Sequence, residues 1–252
     1  MKISMMQIGV SGTGKTYNSL TFPKCYHISF GRGEEDTILS NPLLKENLVK
    51  TVSMLPLNDE DNKKKLDIDN GRTAELCKCI DEARQMFKDG KVETLVIDPI
   101  TYLAENLWMM IERYYVLKSN NGVVNTMGMY GDLARRLYRI LVMEIMNFPG
   151  NVIVNVHLKV EDEEALEKLP QAERENPYVP AILGGIRHEI KGWFSLVVYL
   201  EKQIKGTGYD YLSRTNLGNQ RMAKSRYPLP TIMSSLSYKD IMSAIEKANK
   251  VA

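Results

Sequence analysis

Gly9-Val10-Ser11-Gly12-Thr13-Gly14-Lys15-Thr16 is the stretch on which the reading of this chain turns. It fits the pattern G-x-x-x-x-G-K-[ST] at every fixed position, and composition alone would produce such a match in about one chain in a hundred of this length. Residues 2–8, which alternate apolar and polar, read as a strand running into a turn at Gly9, and Thr16 to Leu20 reads as a short helix leaving it. Glycines let the backbone curl so that its N–H groups converge on phosphate oxygens, and a helix start adds partial positive charge. Gly9, Ser11, Gly12, Thr13, Gly14, Lys15 and Thr16 are therefore the candidate nucleotide contacts. Lys15 is expected to reach the β- and γ-phosphates, and the Thr16 hydroxyl to ligate Mg²⁺. ATP and Mg²⁺ are the cofactors this implies; the alternative is a glycine-rich turn with no ligand.

A phosphate loop of this kind needs an acid on the metal side. Leu95-Val96-Ile97-Asp98 supplies an apolar run ending in a carboxylate, at the strand end where ligands gather in open α/β sheets. Asp98 is the candidate metal-side acid, with a helix cap ahead of Pro99 as the plain alternative. A further apolar run, Asn151 to His157, ends in Asn155, Val156 and His157. A polar residue at that tip suits sensing of the γ-phosphate or orienting of water, and His157 is the candidate, against a purely structural histidine.

Outward from these motifs the chain alternates strands and helices. Residues 24–30, 50–55, 92–98, 151–157 and 194–200 read as strands. Thr73 to Lys88 reads as a helix on the spacing of Leu76, Ile80, Ala83 and Phe87, Ile100 to Leu117 and Tyr130 to Asn147 as further helices, and Tyr238 to Lys250 as a terminal helix capped by Ser237. Residues 158–192 read as a long irregular segment, and residues 209–215 and 220–226 as a hairpin around Leu217-Gly218-Asn219. The pattern predicts an α/β fold with a mostly parallel sheet flanked by helices and a C-terminal β-hairpin. One domain is expected over residues 1–252, with a core to about residue 230.

Composition narrows the class. The chain has 252 residues, 44% hydrophobic and 25% charged, so wholesale disorder is excluded. Lys plus Arg is 33 against 31 Asp plus Glu, a net charge of +2, so any nucleic-acid site must be a local patch. Three cysteines without zinc-site spacing exclude a disulfide scaffold or zinc centre and point to a reduced, cytoplasmic setting. No signal peptide or membrane-length apolar run is read, so no membrane partner is expected.

The order GVSGTGKT, LVIDPIT, VNVHLK and a late AKSR resembles the RecA-like P-loop ATPases over roughly residues 1–230, and is similar above all to small phage members associated with single-strand annealing and recombination. The resemblance implies an oligomer, ring or filament, in which a late hairpin presents basic residues to the neighbouring subunit's nucleotide. Lys224 and Arg226 match that position and would act in trans on the phosphates; a solvated basic edge is the alternative. The family also places a catalytic glutamate just past the second core strand. Here the acids come later, so Glu34, or else Glu35, is the candidate base for water, with an exposed acidic turn as the plain reading.

For single-stranded DNA, Lys202, Lys205, Arg214, Arg221, Lys224 and Arg226 with Tyr209 and Tyr211 form one candidate patch, and Arg135, Arg136 and Arg139 a second. Residues 161–175 carry seven acids against two bases, which disfavours phosphate contact there. Three readings compete: an ATP-dependent recombination or annealing factor, a replication motor or accessory helicase, and a nucleotide-dependent switch acting on protein partners.

Overall fold

The apolar runs of the sequence become the middle of one ten-stranded sheet. In the computed structural model, which describes residues 1–31, 33–54, 72–119, 123–161, 163–167, 178–206, 208–216 and 223–251, the first half runs β1 (Ser4–Gly9), α1 (Lys15–Ser19), β2 (Cys25–Ser29), α2 (Glu34–Ser40), α3 (Pro42–Lys45), β3 (Leu48–Ser53), α4 (Arg72–Lys88), β4 (Thr94–Asp98) and α5 (Ile100–Lys118). Then follow α6 (Thr126–Tyr138), which continues as a π-helical stretch over Arg139–Ile145, β5 (Asn151–Val160), α7 (Glu163–Glu167), β6 (Tyr178–Pro180), α8 (Ile186–Glu189) with a 3₁₀ turn over Ile190–Trp193, β7 (Leu196–Lys205), β8 (Gly208–Arg214), β9 (Lys224–Ser225), β10 (Ile232–Met233) and α9 (Tyr238–Val251).

The strand order is β10-β8-β7-β1-β5-β4-β2-β3, with β6 on β5 and β9 on β7. All pairings from β7 through β3 are parallel, and those of β8, β10, β6 and β9 are antiparallel. The fold is thus α/β, a mostly parallel sheet flanked by helices, as expected.

Side-chain alternation deals the core into two layers. Met6, Ile8, Tyr26, Ile28, Leu95, Ile97, Val152 and Val154 face α4, α5 and α6. Met5, Cys25, Val96, Ile153, Leu196 and Val198 face the other way, where Leu20, Ile38, Leu44, Ile241 and Ile245 cover them from α1, α2, α3 and α9. A strand covered on both faces carries no alternation of burial. This is why β1 differs from the alternating reading of residues 2–8: every residue of Ser4–Gly9 is buried, Ser4 and Gln7 included.

Two further sequence expectations change. The hairpin is formed by β7 and β8, which pair from Tyr199↔Arg214 to Lys205↔Gly208 around a turn at Gly206, whose φ is +60°. It is not formed by residues 209–215 with 220–226. Residues 217–222 lie outside the described residues, and Lys224–Ser225 instead pairs with Val197 and Leu196. Second, the segment 158–192 is more regular than its prolines suggest: β5 runs on to Val160 and β6 returns against it, Leu158↔Pro180 to Val160↔Tyr178.

α9 closes the second layer. Ser237 caps it as expected, accepting from the Asp240 amide at 3.2 Å, and the Tyr238 amide donates to Thr21 Oγ1 at 3.0 Å. Among the described residues no helix is long and apolar enough to cross a membrane. Ile241 is fully buried beneath this helix. Ile241→Ala should therefore lower stability by about 2–5 kcal/mol, read as a reduced urea midpoint at an unchanged slope.

Candidate functional site

The sheet order brings three strand tips together. β5 lies between β1 and β4, with Gly9 opposite His157 and Ile97 opposite Val154, so the loop after β1 opens beside the carboxyl ends of β5 and β4. The loop needs its glycines. Gly12 and Gly14 have φ of +75° and +84°, in the left-handed region that favours glycine. A Cβ at Gly9 would lie 2.6 Å from Thr13 Oγ1 and 3.0 Å from the Leu200 carbonyl oxygen. Thr13 Oγ1 donates to the Val10 carbonyl at 2.8 Å, and Lys15 Nζ, itself buried, donates to the Gly9 and Val10 carbonyls at 2.9 Å each. The ammonium is therefore held inside the curl of the loop by neutral acceptors.

Thr16 Oγ1 donates to Asp98 Oδ2 at 2.7 Å, joining two motifs 82 residues apart in sequence. Asp98 is buried, and burial by itself pushes a carboxyl pKa up. The His27 imidazole, the Thr16 hydroxyl and the Asn155 amide outweigh that, and the carboxyl stays below its usual range. A second polar group ties α1 to the sheet: the buried Gln7 Nε2 donates to Ser19 Oγ at 2.8 Å, Asn155 Oδ1 at 3.1 Å and the Lys15 carbonyl at 3.3 Å. Ser19 Oγ reaches both Asn155 Oδ1, at 3.0 Å, and the Lys15 carbonyl, at 2.9 Å.

This is a phosphate loop with its hydroxyl locked to a strand-end acid, and a family described as an AAA domain matches residues 1–227. The chain belongs to that family. As an AAA domain it is a nucleotide-binding ATPase. No curated protein sequence matches the chain.

Beside the loop of this AAA domain lies a cleft of about 490 Å³. It is lined by Gly12, Thr13 and Gly14 of the loop, Tyr17 and Asn18 of α1, Thr37 of α2, Leu200, residues 211–213 and residues 234–236. That is a usual size for a small-molecule site, apolar and aromatic with a few polar groups.

The other candidate residues are placed as follows. Ser11 is exposed on the loop. His157 is half-buried at the last β5 position paired with β1, three residues short of the strand's end at Val160; its amide donates to Thr101 Oγ1 at 3.0 Å and its ring stands edge-on to Tyr102 at 5.2 Å. Burial and the Lys15 charge push its pKa down, more than Asp98 raises it, so the ring is neutral at physiological pH. Glu34 and Glu35 open α2, and their side chains lie outside the described residues.

Lys224 and Arg226 are not brought to the loop of their own chain. Ser225 pairs with Leu196, which itself pairs with Met5, four residues before Gly9, or about 13 Å along the strand. Lys224 Nζ donates to the Gly192 carbonyl at 2.9 Å, and burial, with the Arg226 charge, lowers its pKa.

The two basic clusters are partly neutralised. Arg214 pairs with Glu201 at 2.6 Å, Lys205 with Asp210 at 2.9 Å, and Arg135 with Asp132. Arg221 lies outside the described residues. The acidic segment also differs from its sequence reading at its start: Glu161 is buried and paired with Arg187 at 2.8 Å.

Gln7, Ser19, His27 and Thr51 were not singled out from sequence. Gln7 and His27 leave the signal of a polar residue inside an apolar strand, as in SMMQIG and CYHIS, whereas Ser19 on α1 and Thr51 in the half-exposed β3 leave none. Gly9→Ala tests the loop geometry directly. The added methyl group meets a backbone carbonyl as well as Thr13, so we expect about 1–3 kcal/mol of lost stability together with weakened nucleotide binding, checked by thermal melting and calorimetric titration.

Proposed function

We propose that the chain is an ATP-hydrolysing, oligomeric DNA recombination or single-strand annealing factor that uses Mg²⁺. The observation that carries the nucleotide half of this reading is the Thr16–Asp98 hydrogen bond beside the buried Lys15 ammonium. A hydroxyl and an ionised carboxylate are the oxygen donors that Mg²⁺ takes alongside phosphates, so the residues present fit the metal. When bound, the metal would neutralise charge developing on the transferred phosphoryl group.

In this reading Gly9, Ser11, Gly12, Thr13 and Gly14 line the phosphate cradle with backbone. Lys15 exchanges two neutral carbonyls for anionic oxygens, which are the stronger acceptors. Thr16 and Asp98 hold the metal. His157, neutral and next to the loop, orients water or senses the terminal phosphate, and Glu34 is the proposed base. The 490 Å³ cleft takes the base and ribose, with the Tyr17 and Tyr211 rings as its aromatic walls. The test compares ATP with inorganic tripolyphosphate by calorimetry. Lys15→Ala should lose affinity for both, whereas Tyr211→Ala should weaken ATP about tenfold or more and leave tripolyphosphate unchanged, stacking being worth about 1–3 kcal/mol per base.

The trans role of Lys224 and Arg226 is supported by their place at the amino end of β7, away from their own loop; a neighbouring subunit's nucleotide is then the phosphate they would meet. Mixing Lys15→Ala with Arg226→Ala protein should restore part of the ATPase rate, because one interface in the mixed assembly keeps both halves intact. No recovery in assemblies that demonstrably exchange subunits would count against a shared site.

The annealing role rests on the resemblance and on the basic, aromatic β7–β8 hairpin. The ion pairs that neutralise part of that hairpin favour a second reading, a nucleotide-dependent switch acting on protein partners. ATPase rate with and without single-stranded DNA separates them: stimulation supports the first, indifference the second.

A further inference from the structure

The strands behind the phosphate loop carry a line of polar side chains on the face turned toward α1. Thr51 on β3 pairs in register with His27 on β2, and His27 pairs with Val96 on β4, two residues before Asp98. The contacts follow that line. Thr51 Oγ1 lies 3.5 Å from His27 Nδ1, His27 Nε2 lies 3.7 Å from Asp98 Oδ2, and Asp98 Oδ2 accepts from Thr16 at 2.7 Å. One polar chain thus crosses three adjacent strands and ends on the loop helix.

His27 is fully buried, and it is not among the residues placed around the nucleotide or the metal. Its Nε2 makes no regular hydrogen bond; the acceptor it faces is the same oxygen that takes the Thr16 proton. An imidazole nitrogen left in that state costs free energy that an aliphatic residue at this strand position would not. A Thr51 hydroxyl that donates to Nδ1 selects the tautomer with its proton on Nε2, directed at the carboxylate.

We propose that His27 is a positioning residue, which with Thr51 behind it holds the Asp98 carboxylate in register with Thr16 for the metal that accompanies the nucleotide. It touches neither nucleotide nor metal. Its action is that of the outer partner of a ligating carboxylate, whose loss typically costs 10–100-fold in metal affinity. The inference rests on the Mg²⁺ reading of Thr16 and Asp98.

The experiment measures affinity for ATP by calorimetry in excess Mg²⁺ and again in EDTA, for wild type, His27→Leu, His27→Gln and Thr51→Val, each checked for folding by circular dichroism. The ratio of the two affinities isolates the metal's contribution from that of the loop. We expect His27→Leu to reduce this ratio about tenfold or more, with the EDTA affinity unchanged. His27→Gln, which keeps a donor toward Asp98, should recover most of the ratio, and Thr51→Val should lower it in the same direction by a smaller factor. A folded His27→Leu protein with the wild-type ratio would overturn the proposal, as would an equal loss with and without metal. If His27→Leu does not fold, an unchanged ratio in Thr51→Val overturns it instead. A wild-type protein that gains nothing from Mg²⁺ removes the metal reading and this proposal together, while the loss caused by Lys15→Ala in EDTA tests the phosphate loop by itself.

Discussion

An ionised carboxylate buried at the end of a central parallel strand is the constraint around which the rest of this structure is arranged. Asp98 sits among apolar residues, where a lone charge is driven to take up a proton. Keeping it ionised requires polar surroundings, and the sheet order provides them: α1 brings the Thr16 hydroxyl that donates to it, while β2 sets the His27 imidazole 3.7 Å away on one side and β5 sets Asn155 on the other. The same polar layer continues through Asn155 to Gln7 and Ser19, so the strand under the loop, the strand between the motifs and the loop helix are cross-linked by side chains. The phosphate loop is therefore held by the sheet as well as by its own backbone turns.

The layer is confined to one end of the sheet. Toward the amino ends of the same strands the second core becomes mostly apolar, with Ile3, Met5, Cys25, Ile153 and Leu196 packed under α9 and the residues around it, and the buried Thr94 and Asn151 hydrogen-bonded to each other as its polar exceptions. A hydrophobic half supplies stability and a polar half supplies chemistry within the same sheet face. Lys224 and Arg226 lie at the hydrophobic end, which separates them from their own loop by the length of a strand.

Much of this was legible in the sequence. The loop motif, the apolar run ending at Asp98 and the 3.6-residue spacing of Leu76, Ile80 and Ala83 each report a local constraint, and each is found where it was read. What was not legible is what depends on distant partners. The hairpin was assigned to the wrong strands because β7 continues from buried Leu200 into Glu201-Lys202-Gln203, a polar stretch that loses the apolar signal once it leaves the core. His27 and Gln7 look like exceptions in apolar strands, and only the register that sets them beside Asp98 and Asn155 explains them. His157 reads as a strand tip, whereas β5 runs on to Val160 and the ring rests against Tyr102, a neighbour that no spacing announces.

The cleft beside the loop is assembled from distant parts of the chain. Its inner end, Gly12 to Asn18, belongs to the segment shared with other AAA domains, whereas the wall formed by residues 234–236 lies past residue 227, where that shared segment stops. Tyr17, Leu200 and Tyr211 thus frame the cleft from within the matched segment, and one further wall is added by the stretch that follows it. Residues 234–236 border the cleft without contributing to the phosphate loop, so a substitution there reshapes one wall and leaves Lys15, Thr16 and Asp98 where they are.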